Sequence, residues 1–406
     1  MTTQHIDGFI LTPDGFIRGV LEFDNGPQGG SAASPSPEGV PGAWGGPALP
    51  RAGRIVRIDG TAVSEHEVRH GAQDLPIVLP GFIDTHVHGG AGRDTMEGGD
   101  AAAQLAKLHA THGTTSLLAT TMTAPLDEIR QAMRGLAELC VLRPQGGARV
   151  LGVHLEGPYI NPGKLGAQPD FAKVASIAEI RELHAIAPIR LITLAPELPA
   201  HLDLVTQLRE AGFQVQIGHS LGTYEDGVAA LGRGAGGFTH LFNAMTGLHH
   251  REPGMVGAAL AHAQYAEIIP DLLHVHPGAI RVALRSIPHL FCVTDSTAAA
   301  GMPDGEYRLG RHRVTKCLGG VRLPDGTLAG STLTMDQALR NLVLKLGLPI
   351  EDASKRVSTN AADYLGLDDR GRLAPGAWAD FVVMDRGLQL QCVVVEGEAI
   401  DLANAG

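Results

Sequence analysis

The chain has 406 residues, 44% of them apolar and 18% charged, which suits a globular protein with one large core and a smaller companion. Its net charge of −11, from 32 basic against 43 acidic side chains, argues against nucleic acid or an anionic membrane as the main partner. No apolar run reaches the ~20 residues that a membrane span needs. No secretory signal is visible, and Cys140, Cys292, Cys317 and Cys392 are scattered without a disulfide or zinc-knuckle pattern. A cytoplasmic protein with free thiols is expected.

Residues 6–23 alternate apolar and polar around Thr12-Pro13-Asp14-Gly15, so they read as a hairpin. Residues 24–53 are mostly Gly, Pro, Ser and Ala and cannot bury enough apolar surface to offset their ordering entropy; a flexible insertion is expected there. Strand character resumes from Arg54 to Ile58, which makes residues 1–76 the N-terminal part of a small β domain.

From residue 77 the pattern becomes strand then helix, repeatedly. Strands are expected at 78–86, 114–121, 148–155, 189–196, 214–219, 236–242, 267–274 and 290–295, with helices at 100–112, 126–142, 176–187, 199–212 and 223–233 among them. Parallel strands joined by right-handed helical crossovers follow, and eight of them make an α/β fold, a (β/α)8 barrel over 77–366. A doubly wound open sheet would show a glycine-rich phosphate turn after its first strand, and none is present. Helices at 334–346 and 351–364 precede a return to β character over 371–400. Residues 367–406 are therefore expected to complete a small β-sandwich-like domain built from both chain ends.

Chemistry in such barrels sits at the C-terminal ends of the strands. The first expected strand ends in Asp84-Thr85-His86-Val87-His88, whose two histidines share a face because residues i and i+2 of a strand point the same way. Glu156 ends the third strand, His219 the fifth, His240 lies near the end of the sixth and Asp295 ends the eighth. Any one of these is an ordinary cap or a satisfied histidine; several metal-competent groups at one mouth of one barrel point to a metal site.

Pro80-Gly81-Phe82-Ile83-Asp84-Thr85-His86-Val87-His88-Gly89 resembles the opening signature of the amidohydrolase superfamily of metal-dependent barrel hydrolases. With His154-Leu155-Glu156-Gly157-Pro158-Tyr159, Gly218-His219-Ser220, His240-Leu241-Phe242-Asn243-Ala244-Met245, His250-Arg251-Glu252-Pro253-Gly254, Val293-Thr294-Asp295 and the run from Leu328 to Met335, the likeness narrows to deacetylases of phosphorylated N-acetyl amino sugars. That resemblance implies a divalent metal, most often zinc, with Fe2+ or others as alternatives, held by Glu156, His219 and His240. His86 and His88 are positions of a second metal in some members. Many superfamily relatives bridge two metals with a carboxylated lysine at the end of strand four; Ile189 to Pro196 contains no lysine.

The same resemblance implies hydrolysis of an N-acetylglucosamine 6-phosphate to the amino sugar phosphate and acetate, with Asp295 as the group that takes a proton from water and returns it to nitrogen. The metal would lower the pKa of water from 15.7 to about 7. Substrate contacts fall on Ala167, Gln168, Asn243, Ala244, His274, Leu328, Ala329 and Gly330, and Arg251 would reach the phosphate across the interface of a homodimer or homotetramer. Two departures stand out: Gln168 replaces a histidine that holds the acetyl carbonyl in some members, and Leu272 replaces a usual glycine. The galactosamine epimer and other amidohydrolase substrates are rival readings, as is an inactive barrel scaffold, which the intact set of ligands and Asp295 opposes.

Overall fold

The computed structural model describes residues 2–25 and 53–404. The expected flexible insertion lies, except at its edges, outside the described residues.

Six parallel strands, Phe82–Val87, Thr114–Thr121, Arg149–Glu156, Ile189–Leu194, Gln214–Ile217 and Gly237–Phe238, lie side by side in chain order. Tyr265–Ile268 and His289–Cys292 form a further parallel pair. Two backbone contacts close the ring: the Leu241 N–H donates to the Glu267 carbonyl at 2.8 Å, and the Asp295 N–H donates to the His86 carbonyl at 2.9 Å. The strands are buried on both faces, as parallel strands covered by helices must be. Thr114–Thr121, rich in β-branched residues, has no residue reaching solvent. The covering helices follow the 3.6-residue period: in Leu126–Leu136 the buried side chains are Ile129, Ala132, Met133 and Leu136. Truncating a fully buried leucine such as Leu117 to alanine would cost about 2–5 kcal/mol.

The expected strand at 78–86 is two strands. Ile77–Pro80 belongs to a seven-stranded sheet made from the chain ends, and only Phe82–Val87 enters the barrel. Gly81 is the joint, where a Cβ would stand 2.3 Å from the Thr115 side chain. Ile77–Pro80 pairs in parallel with Phe9 and Ile10 and antiparallel with Phe381–Met384, so it stitches the N-terminal hairpin (Thr3–Thr12 and Gly15–Asp24) to the C-terminal strands. That sheet curls over: Phe23 and Phe381 lie three strands apart, ~14 Å in a flat sheet, yet their rings meet at 5.0 Å. An Arg54–Trp378 bridge joins the start of its edge strand Ile55–Ala62 to the residues that lead into Phe381–Met384.

Other differences have local causes. The strands expected to run to 219, 242 and 295 stop at Ile217, Phe238 and Cys292, because His219, His240 and Asp295 turn into left-handed backbone with φ of 49°, 29° and 50°. The helix expected at 334–346 is α over Met335–Arg340 and widens to a π turn over Asn341–Lys345. A small antiparallel sheet, Gly305–Leu309, His312–Cys317 and Gly320–Arg322, was not expected. It packs Leu309, Val314 and Val321 on Met122 and Ala329, and the Gly310 N–H fastens it to Asp94 Oδ2 at 2.7 Å.

Candidate active site

The strand ends bring six of the expected groups to one point. His86 and His88 leave the first strand on one face, with their Nε2 atoms 3.1 Å apart. Glu156 closes the third strand, and its Oε1 stands 3.1 Å from His219 Nε2 and 3.1 Å from His240 Nε2. Those two nitrogens are themselves 3.1 Å apart. Asp295 Oδ1 lies 3.3 Å from His88 Nε2 and 3.5 Å from His86 Nε2. His219, His240 and Asp295 all occupy left-handed backbone, a conformation that costs a non-glycine residue about 1–3 kcal/mol and gathers where function over-determines the chain.

These donors fit a cation. Ligand atoms held ~2.0–2.1 Å from a tetrahedral zinc stand ~3.3 Å from one another, close to the 3.1 Å triangle of Glu156, His219 and His240. Tautomers agree. His219 Nδ1 donates to the Lys164 carbonyl at 2.8 Å, His88 Nδ1 to the Thr120 carbonyl at 3.3 Å, and His86 Nδ1 to Glu267 Oε2 at 3.0 Å. An imidazole whose Nδ1 carries the proton presents a lone pair at Nε2. The Nε2 atoms of His86 and His88, 3.1 Å apart, need something positive between them, a proton or a cation. Glu156, His219 and His240 form one donor trio, and His86, His88 and Asp295 another. Glu156 reaches both, since its Oε2 is 3.1 Å from His88 Nε2.

The electrostatics follow from burial and pairing. Burial opposes a charged His88, yet the Asp295 and Glu156 carboxylates lift it to about 9. Burial also opposes ionised Glu156, but the His86 charge and contacts from His219 and His240 hold it well below the usual carboxylate range. Asp295 is held low in the same way by His86 and His88. Burial, with the His86 charge beside it, drives His154 down to about 3, and burial outweighs the Thr294 and His86 contacts to lift Asp84 to about 7, so neither behaves as an ordinary charged group.

A cavity of about 220 Å³ opens over this cluster. Of the residues expected to touch substrate, Ala167, Gln168, Asn243, Ala244, His274, Leu328 and Gly330 line it. Ala329 is buried behind its wall. Gln168 is engaged at both ends: its amide donates to Glu156 Oε2 at 2.6 Å and its carbonyl accepts from the Thr123 N–H at 2.7 Å. His274 Nδ1 is held by Asp271 Oδ2 at 2.7 Å, and against the pull of burial that carboxylate raises its pKa. Leu272 sits at φ 66°, in the region that favours the glycine it replaces, and the Asp271–His274 turn still forms. Arg251 is not brought in: it is exposed on the loop after the sixth strand and contacts His250 at 2.8 Å. His86 lies beneath the cavity, fully buried.

Sequence reading missed Glu267, a fully buried carboxylate on the seventh strand that holds His86. A lone acid within the apolar run Tyr265–Ile269 was its signal. Met122, Gly166, Leu309 and Thr327, which also line the cavity, carry no comparable signal.

A histidine–carboxylate cluster at the C-terminal mouth of a (β/α)8 barrel, with donors set for a divalent cation, defines a metal-dependent barrel hydrolase. The chain belongs to the amidohydrolase family, whose family model matches residues 77–400. It is 41% identical, over 85% of its length and 92% of the relative's, to an N-acetylgalactosamine-6-phosphate deacetylase of Escherichia coli O157:H7. It is 40% identical to an N-acetylglucosamine-6-phosphate deacetylase of Lysinibacillus sphaericus, over 82% of this chain and 89% of that one. The N-acetylglucosamine-6-phosphate deacetylase structure from Thermotoga maritima superposes with a TM-score of 0.83 at 31% identity, covering 98% of this chain and 99% of that one. A variant of the Mycobacterium smegmatis deacetylase, solved in complex with N-acetyl-D-glucosamine 6-phosphate, gives the same score at 32% identity, with 98% and 100% covered. Among the described residues no helix is long and apolar enough to cross a membrane.

Proposed function

We propose that this protein hydrolyses N-acetyl-D-glucosamine 6-phosphate to D-glucosamine 6-phosphate and acetate. The observation that carries the reading is the convergence of Glu156, His219 and His240 with Asp295 beneath a cavity lined by Asn243, Ala244 and His274. The deacetylase relatives, similar over most of the chain, supply the substrate class.

Glu156, His219 and His240 would hold one divalent cation, zinc foremost, and His86, His88 and Asp295 a second. When bound, such a cation supplies Lewis acidity toward the amide carbonyl and toward water. Asp295, ionised at neutral pH and bordering the cavity, takes the proton of the attacking water and returns it to the departing nitrogen. His274, held by Asp271, presents its other ring nitrogen to the sugar. Asn243, Ala244 and the Leu328–Gly330 turn position the sugar phosphate. Gly330 lets that turn approach closely, since a Cβ there would stand 2.6 Å from Thr297 and 2.8 Å from the Asp295 carbonyl. Gln168 steadies Glu156 and borders the acetyl side.

Arg251, outside the cavity of its own subunit, would serve the phosphate of a partner subunit's substrate, which makes the active form a homodimer or a homotetramer. A guanidinium suits a phosphate because its donors match two oxygens at once. The working protein divides into a barrel that begins at Phe82, rather than at 77, and runs to residue 366, and a small domain from 1–80 and 367–406. It acts in the cytoplasm, where membranes retain a sugar phosphate.

The N-acetylgalactosamine 6-phosphate reading is kept because one relative named for that epimer is 41% identical. Acetate release by the purified, metal-replete protein from both epimers and from unphosphorylated N-acetylglucosamine tests the proposal. Fastest turnover of the gluco 6-phosphate is expected. A faster galacto epimer would transfer the assignment, and no acetate from either would end it.

A further inference from the structure

We infer that Glu267 is a positioning residue of the reaction: it fixes His86 so that Nε2 faces a second divalent cation shared with His88 and Asp295. The inference rests on the metal-hydrolase reading and adds to it a residue from outside the cavity wall.

Glu267 projects from the seventh strand into the barrel and has no solvent exposure. Its Oε2 accepts from His86 Nδ1 at 3.0 Å, and its Oε1 accepts from the Thr85 hydroxyl at 2.8 Å. The His240 backbone N–H also points at Oε2, at 3.4 Å. One carboxylate thus touches the first strand at Thr85 and His86 and the turn after the sixth at His240, and His86 and His240 each belong to one of the two donor trios. Its own backbone carbonyl accepts from Leu241, closing the barrel at the same place.

The anion is expensive to bury unless something positive faces it. Its partner is the His86 Nδ1–H, through which a cation at Nε2 of the same ring would face it. Because Nδ1–H is committed to Glu267, His86 can offer only Nε2, and that atom faces His88 Nε2 and Asp295 Oδ1. The carboxylate therefore selects the tautomer, aims the ring and makes the imidazole a stronger donor. A rival trio of His86, His154 and Glu267 is no cation site, since both nitrogens of His154 are engaged, with the Thr85 carbonyl at 3.0 Å and the Thr193 hydroxyl at 2.7 Å.

The test is cobalt(II) titration of metal-stripped protein, followed by visible absorption and by metal analysis after dialysis. Wild type should take up two equivalents. Glu267→Gln, which keeps the shape and removes the charge, should bind the first equivalent normally and the second about 10–100-fold more weakly. Both equivalents binding Glu267→Gln as tightly as wild type would overturn the inference. So would a wild type that holds one equivalent, although acetate release by that protein would leave the deacetylase reading standing. Should Glu267→Gln fail to fold, Thr85→Val, which removes only the hydroxyl steadying the carboxylate, carries the test. Weaker second binding is expected there, and unchanged binding overturns the inference.

Discussion

Glu156 offers one carboxylate oxygen to His240 and the other to His88, each at 3.1 Å. A single side chain on the third strand therefore stands between both donor trios, in a barrel whose fourth strand carries no lysine. Glu156→Ala should lower metal content at both positions, by more than the 10–100-fold in affinity typical of changes behind the ligands. His219→Ala should empty the first trio and spare the second. Metal analysis of the two folded variants checks this, and full occupancy in Glu156→Ala would contradict the arrangement.

Asp295→Asn keeps the size of the side chain and cannot take a proton. Turnover should fall by the ~10²–10⁴-fold that general acid–base catalysis supplies, while the Glu156, His219 and His240 cation remains. Steady-state rates beside metal content separate this from a purely ligating role, in which metal and activity would be lost together.

Arg251→Ala should weaken phosphorylated substrates alone. Losing one charge-assisted contact costs about 1.5–3 kcal/mol, roughly ten- to a hundred-fold, read in kcat/KM for the 6-phosphate against the unphosphorylated sugar. Sedimentation should find at least a dimer. A monomer with undiminished phosphate preference would remove Arg251 from the site.

Away from the cavity, Glu396 accepts two bonds from Arg149 at 2.8 and 2.7 Å and pairs with Arg370, tying the curled sheet to the base of the barrel. Burial opposes its charge, but Arg370, Arg149 and Arg143 hold its pKa at about 2. A depressed carboxylate contributes fully above its unfolded value of ~4.3 and loses that contribution as pH falls toward 2. Glu396→Gln should cost about 3–5 kcal/mol at pH 7, and the gap to wild type should shrink below pH 4. Denaturant melts across pH measure it; a gap that widens with acid would refute the assignment.

Much of this was readable in the chain because strand ends in a barrel converge whatever the intervening helices do, so His86, His88, Glu156, His219, His240 and Asp295 announced one another. Periodicity could not divide 78–86, since Val78 and Leu79 are as apolar as Phe82 and Ile83 while serving a different sheet. Strands read too long at 219, 242 and 295 because left-handed φ at His219, His240 and Asp295 is imposed by the site, not by local preference. The small sheet at 305–322 hid behind exposed Arg308, Arg313 and Arg322 and a core of few residues. Glu267 was legible only as one acid in an apolar strand, a pattern that also fits a satisfied core carboxylate.

The central claim is cation-dependent cleavage of the amide of a hexosamine 6-phosphate at Glu156, His219 and His240. Acetate release from N-acetyl-D-glucosamine 6-phosphate should be measured before chelation, after dialysis against a chelator, and after zinc is restored. The account predicts full loss in the stripped protein and recovery on adding zinc, with no recovery in His219→Ala. Undiminished acetate release by protein shown to be free of metal would contradict it.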